Sequence, residues 1–467
     1  MNLLRGAFDT PRPPASRKLD LGRLMSGRFG PTILAALTLG SLGCEPLPPK
    51  APATTDVSCA SPSLGPAFDI APPVASWNTV RAAFDGDRLW VSLTDSYDDR
   101  SGASNVMLAN IHCGDVAHVG PQQVSDHPAG GPGLTLTLDG KKLLLLWSPL
   151  PRTTQPLRAR FFTTDDAPLS SESALTLTRG GKPVVGAVQA SSVVVLPAGG
   201  YALSGTLAEG DLSCPAVFVQ RLDGNAAPVG DLVDVNAGGY GRCVAGAAQL
   251  TRSVDGTFFL SWLSTQATAS GGNTTSLNSL RLMAGVFEGA AQQIFDLPST
   301  TGVDVTDLTD LSTSAGPAAA VTAGSPNATA AGAWTPQYLL FSDRPSGHPD
   351  RLSLRDAAQP LGEPNVFALD VKDGPVERPI VASTPHGGML AWTVASAGNR
   401  NAAMYAQRFA YNGKNWNQGD RVPLMVDDVM LDRHLQALVP MTDSTFFVAF
   451  TEGSRGSAKL RGAFVSF

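Results

Sequence analysis

One unit recurs seven times along this chain: an apolar strand, a tight turn, and a second apolar strand ending in an aromatic or small residue. The copies read "VRAAFDGDRLWVSL" at 80–93, "LTLTLDGKKLLLLW" at 134–147, "VVVLPAGGYALSG" at 193–205, "LTRSVDGTFFLSW" at 250–262, "AAVTAGSPNATAAGAW" at 319–334, "IVASTPHGGMLAW" at 380–392 and "ALVPMTDSTFFVAF" at 437–450. Asp-Gly and Gly-Gly at these turns supply the positive φ that a two-residue hairpin requires. A polar loop follows each hairpin, then a third strand that often carries an arginine ("LRARFF", "VFVQRLDG", "LRLMAGVFEG", "MYAQRFAYNG", "KLRGAFVSF"), and several copies add a fourth apolar stretch such as "DLVDVN" or "NVFALDV". The period is about 55 to 70 residues, too short for one unit to cover both faces of its own sheet. The copies must therefore pack on one another.

Radial packing of four-stranded sheets meets that demand, and the chain after about residue 65 resembles a β-propeller. The expected fold is all-β, with seven blades of four antiparallel strands closed by N- and C-terminal strands. The last copy stops after its third strand, and "AFDIA" at 67–71, where Phe68 and Ile70 alternate with polar or small residues, is expected to fill the fourth position. Six or eight blades, or a pair of β-sandwiches, are the competing arrangements. The WD, kelch and YWTD signatures are absent; the "dG…aW…yaqRf…G" cadence is similar to that of degenerate bacterial repeats. Composition agrees, since only 16% of residues are charged and turn-formers are spread along the whole chain. A net charge of -6 without any Lys/Arg cluster argues against nucleic acid as a partner.

At the amino terminus, "PTILAALTLGSLG" at 31–43 is too short for a bilayer span of about 20 helical residues. It has the length of a signal-peptide apolar region, with Arg28 before it and Met25 as the expected functional start. The segment resembles a bacterial lipoprotein signal: Gly43 and Cys44 match the pattern, while Ser41 and Leu42 depart from it. The resemblance implies a signal peptide over 1–43, lipid attachment at Cys44, a Pro-rich tether over 44–64 and a folded domain over 65–467. Glu45, where an aspartate would retain such a protein at the inner membrane, implies the outer membrane or cell surface. A plain secretory signal and a buried core segment are the other readings.

Five cysteines are an odd number, so one needs a separate role in an exported chain. With Cys44 taking the lipid, Cys59, Cys113, Cys214 and Cys243 remain as an even set. Three pairings are possible, and proximity favours Cys214 with Cys243 and Cys59 with Cys113. The first would close a loop of about 30 residues, worth roughly 3 to 4 kcal/mol. Four buried thiols are the alternative, and no Cys/His spacing points to zinc.

The segments between second and third strands are mostly long, at 94–104, 148–156, 206–213, 264–278 and 393–403, whereas the first hairpins are short. In a propeller these long segments share one face with the links between blades, and loops on a rigid scaffold are where binding residues concentrate. The links carry Asp126 and His127, Tyr240 and Arg242, Glu377 and Arg378, and Asp432, Arg433 and His434. With Tyr97, Asp98, Asp99 and Arg100 they are expected to form a polar mouth to the central channel. That pattern points to a monomer binding an envelope protein or glycan, with no cofactor and no metal. The enzyme alternative is a glycosidase of the sialidase kind, with Arg100, Arg242, Arg378 and Arg433 gripping a carboxylate and Asp98 or Glu377 handling the proton. The sialidase Asp box is missing, because "SVDGTFF" at 253–259 places aspartate and glycine side by side; GxSxG and HExxH are absent too. The acids of "DVTDLTD" at 304–310 lack the glycine-bearing spacing of a calcium loop.

Overall fold

The structure is a computed structural model. It describes residues 67–74, 80–94, 103–112, 120–130, 134–140, 142–148, 155–164, 168–196, 199–209, 215–235, 243–244, 248–252, 258–267, 273–282, 320–321, 338–343, 350–356, 367–371, 376–384, 387–395, 402–411, 416–425, 433–453 and 458–467. The signal segment, Cys44 and the tether lie outside the described residues.

Short strands joined by tight turns pair with their sequence neighbours, and among the described residues they build seven four-stranded antiparallel sheets, six of them of one plan. The first blade runs Val80–Phe84, Arg88–Thr94, Val106–His112, Gln122–Gln123; the second Leu134–Asp139, Lys142–Trp147, Leu157–Thr163, Ser173–Leu175; the third Ala187–Val195, Tyr201–Ala208, Ala216–Leu222, Val233–Asp234. In the fourth, Cys243–Val244 and Gln249–Arg252 share the inner position on Phe258–Ala267, with Asn273–Leu282 beyond. The fifth runs Ala320–Val321, Tyr338–Asp343, Asp350–Asp356, Phe367–Val371, and the sixth Val376–Thr384, Gly387–Ala395, Ala402–Tyr411, Trp416–Met425. The seventh holds Arg433–Pro440, Thr445–Glu452 and Ala458–Ser466, and its outer strand is Phe68–Val74. The first strand of one sheet packs against the first strand of the next, from the fifth blade through the sixth, seventh, first, second and third to the fourth. This is a seven-bladed β-propeller, and the expected closure is present: Phe68 lies opposite Gly462 and Asp69 opposite Arg461.

The seventh, first, second and third blades are apolar on both faces because each face meets a neighbour. Leu143 to Trp147 in "KLLLLW" are all 0% exposed; odd and even positions enter different seams, Leu144 and Leu146 toward the third blade, Leu143, Leu145 and Trp147 toward the first. The seam between the seventh and first blades buries Ile70, Val80, Phe84, Leu89, Phe447 and Leu460. The core is thus a series of slabs. At about 25 cal/mol per Å² of apolar surface, these seams supply the main drive for folding.

Two expectations change. The hairpin expected over 319–334 instead pairs Ala320 with Leu340, so its second strand is "YLLFSD" at Tyr338–Asp343. That segment offers larger apolar side chains than "ATAAGAW", and the longer connection costs little loop entropy. The stretch 264–278, expected as a loop, continues the ladder of the fourth blade: Ser264 lies opposite Ser276, Thr265 opposite Thr275 and Ala267 opposite Asn273. β-Branched threonines favour that extended backbone without any apolar face to announce it.

The turns follow from their residues. At Asp85–Arg88 the Asp85 N–H donates to the Arg88 carbonyl at 3.1 Å, and Gly86 takes φ +100°. Asp85 Oδ1 accepts from the N–H groups of Asp87 (2.8 Å) and Arg88 (2.7 Å), while Oδ2 accepts from Trp90 Nε1 at 3.0 Å. Asp85→Ala removes all three bonds and strands a buried indole N–H. A loss of about 3 kcal/mol is expected, read as a lower urea midpoint with an unchanged slope.

Candidate functional site

Every inner strand starts after a link and every second strand ends at a second-to-third connection, so both kinds of segment reach the same end of a blade. Tyr97, Asp98, Asp99, Arg100, Tyr240, Arg242 and Asp432 lie at that end in sequence but outside the described residues. Cys59, Cys113 and Cys214 also lie outside the described residues. Cys243 sits in a two-residue strand opposite Thr265, against the extended hairpin of the fourth blade. Glu377 and Arg378 fall in the inner strand of the sixth blade, where the register shifts between Glu377 and Ile380.

His127 belongs to a polar cluster that stitches the first link to the second blade. Glu172, its side chain 2% exposed, accepts from the backbone N–H groups of Asp126 (2.7 Å) and His127 (3.2 Å) and meets His127 Nδ1 at 2.7 Å. Arg158 Nε stands 3.5 Å from the same carboxylate. Arg160 donates to the carbonyls of Val124 (2.7 Å) and Ser170 (3.2 Å) and pairs with Asp126 at 3.6 Å. The carboxylate fixes Nδ1 as a donor and leaves Nε2 pointing away from it, on a side chain that is 54% exposed. The sequence pointed to His127; its orienting partner lies 45 residues away and carries no local signal.

Arg433 occupies a different setting. Its side chain is 4% exposed and donates through Nε to Glu452 Oε2 at 3.1 Å. The other Glu452 oxygen accepts from Arg461 Nη1 at 2.8 Å; Arg461 Nε pairs with Asp69 at 3.2 Å, and Asp69 also takes Lys459 Nζ at 2.9 Å. Five alternating charges therefore run across all four strands of the seventh blade, and the outermost acid comes from the N-terminal strand. Arg433 is thereby turned into the blade. His434 follows it on the same inner strand, opposite Thr451.

A cleft of 320 Å³ opens between the first and second blades, lined by Trp90, Asn110, Gln122, Gln123, Arg160 and Phe162 among others. On the same seam, nearer the link-bearing end, stands Arg81, which "VRAAF" had concealed as an ordinary strand residue. Among the described residues no cluster of His, Cys, Asp or Glu could hold a metal ion, and no helix is long and apolar enough to cross a membrane.

No protein-family model matches this chain, and no curated protein does. Among solved structures, a protein of unknown function from Dyadobacter fermentans is similar over 87% of this chain and 99% of its own, at 10% identity and a TM-score of 0.42. The β-propeller domain of the Trilobed protease from Pyrococcus furiosus is similar over 83% and 96%, at 8% identity and a TM-score of 0.45. A subtype N10 neuraminidase-like protein of A/little yellow-shouldered bat/Guatemala/060/2010 is similar over 86% and 100%, at 7% identity and a TM-score of 0.36. None of these likenesses bears on activity or ligand.

Proposed function

We propose that this chain is an exported, lipid-anchored β-propeller of a bacterial envelope, tethered through Cys44, that binds a protein or glycan at the link-bearing ends of its blades and performs no chemistry there. The observation that carries the reading is the asymmetry of the ring. One end holds tight turns such as that at residues 85–88, and the other is where the described inner strands begin, where the second strands end, and where Phe258–Ala267 and Asn273–Leu282 carry their ladder beyond the inner strand. A rigid, two-sided core presenting variable segments at one end suits recognition.

Two measurements test it. Mass spectrometry of the chain expressed in a bacterial host is expected to find a mature terminus at an acylated Cys44, and Cys44→Ser is expected to move the protein out of the membrane fraction. An unacylated terminus elsewhere would remove the anchor. A panel of envelope polysaccharides is expected to be retained without release of reducing ends. Turnover lost on changing Arg242, Arg378 or Glu377 would replace the binding module with a glycosidase of the sialidase kind.

A further inference from the structure

The seam between the first and second blades holds a set of polar groups that the fold itself does not satisfy. Arg81 lies opposite Ser92 on the face that carries Ala83 and Trp90, the face packed on the second blade. Its one hydrogen bond is from Nη1 to the carbonyl of Val80 next to it, at 3.2 Å, and no described acid pairs with it. A guanidinium has five N–H donors, so most of this one's capacity is unused. Desolvation with no described carboxylate beside it pushes its pKa below the ordinary arginine value, while the residue keeps partial exposure through which a ligand can reach it.

Beside this partly exposed arginine, three buried groups at the same end of the seam lack partners: Thr94 Oγ1, Ser104 Oγ and Trp147 Nε1. Thr94 shares the blade face of Arg81 and Trp90, and Ser104 lies opposite Ala129, which is buried in the seam. Trp147 lies opposite Leu134, the first residue of the second blade's inner strand, and Thr94 and Trp147 both end their second strands. Thr94 and Trp147 are 0% exposed and Ser104 is 4% exposed. Leaving such groups unpaired costs free energy at each of them, so a native structure that gathers several of them at one place calls for a reason.

We infer that Arg81, Thr94, Ser104 and Trp147 form an oxyanion-binding site at the link-bearing end of the first seam, taking a carboxylate or phosphate group of the ligand. All four offer donors, and none brings a negative charge that would repel an anion. The guanidinium fork matches two oxygens of either group, and the low-dielectric walls of Val106, Leu134 and Leu145 strengthen the pairing. The inference deepens the binding reading above and rests on it only for the end of the ring at which the ligand arrives.

The test is a titration of the full chain, purified in detergent, with glucuronate, inorganic phosphate and neutral glucose, followed by calorimetry and by tryptophan fluorescence, to which Trp147 would contribute. Saturable binding of glucuronate, phosphate or both is expected, with none for glucose, and the stronger of the two identifies the head group. Arg81→Met is expected to weaken that binding by about tenfold or more. Arg81→Lys, which keeps the charge and loses the fork, is expected to weaken it less. Thr94→Val provides a second route if an arginine variant fails to fold, and it too should weaken the anion. The site is overturned if neither anion binds saturably, or if both bind Arg81→Met and Thr94→Val as tightly as the native chain. Loss of envelope-glycan retention with anion binding intact would remove the functional reading and leave this site standing.

Discussion

A chain lacking residues through Val74 is expected not to reach its native fold. The strand Phe68–Val74 is the outer strand of the seventh blade, and Ile70 and Ala71 within it are buried at 1% and 3% exposure. Phe68 packs its ring against Phe464 at 5.8 Å and Phe447 at 6.4 Å between centroids. Deletion uncovers these rings, frees the edge of Ala458–Ser466 and removes Asp69 from the charge ladder. Emptying an Ile site costs about 2 to 5 kcal/mol, and the lost strand adds its own pairing. The sum rivals the 5 to 15 kcal/mol that holds a whole domain together. Aggregation and loss of the near-ultraviolet circular dichroism signal are expected, whereas a chain beginning at Pro66 should match the full chain in both. Native spectra from the shorter deletion would show that the ring closes without that strand.

The second large effect is expected at Glu452. Its two oxygens hold Arg433 and Arg461, with side chains 4% and 24% exposed, so Glu452→Gln removes the carboxylate on which both guanidiniums converge. Breaking one partner of a buried pair is costlier than never having the pair, and about 3 kcal/mol is expected here. Chemical denaturation should record it as a lower midpoint. Adding Arg433→Met to Glu452→Gln is expected to recover much of the loss, because the double change no longer buries that guanidinium beside a neutral amide. If the two changes simply add, the pair is not coupled.

Much of this architecture was legible because a blade has to satisfy two periodicities at once. Phe68 and Ile70 alternate with Asp69 and Ala71, a pattern that needs a sheet partner, and the last repeat had one vacancy. The extended hairpin of the fourth blade was hidden because Ser264, Thr265, Thr275 and Ser276 pair through backbone without an apolar face. Arg81 was hidden for the opposite reason. On a sheet with one wet face a charged residue flanked by alanine and valine reads as solvent-facing, but here both faces meet another blade. Arg433 shows the same effect: expected in a link at the mouth, it already belongs to the inner strand Arg433–Pro440, and its partner Glu452 comes from across the ladder. Positions along the strand follow from local pattern, while the identity of a charge's partner depends on contacts between distant residues.

The closure of the seventh blade also sets a schedule for synthesis. Asp69 and Lys459, joined across that closure, are 390 positions apart. At roughly 5 to 20 residues per second, the segment holding Phe68 waits about 20 to 80 s on the ribosome before its mate exists. During that interval the strand has no home, and the six blades made in between can assemble only as an open arc. Completion is therefore a single late event: a chain that stops short of Ala458 leaves the edge of Thr445–Glu452 unpaired and Phe447 without the rings that cover it.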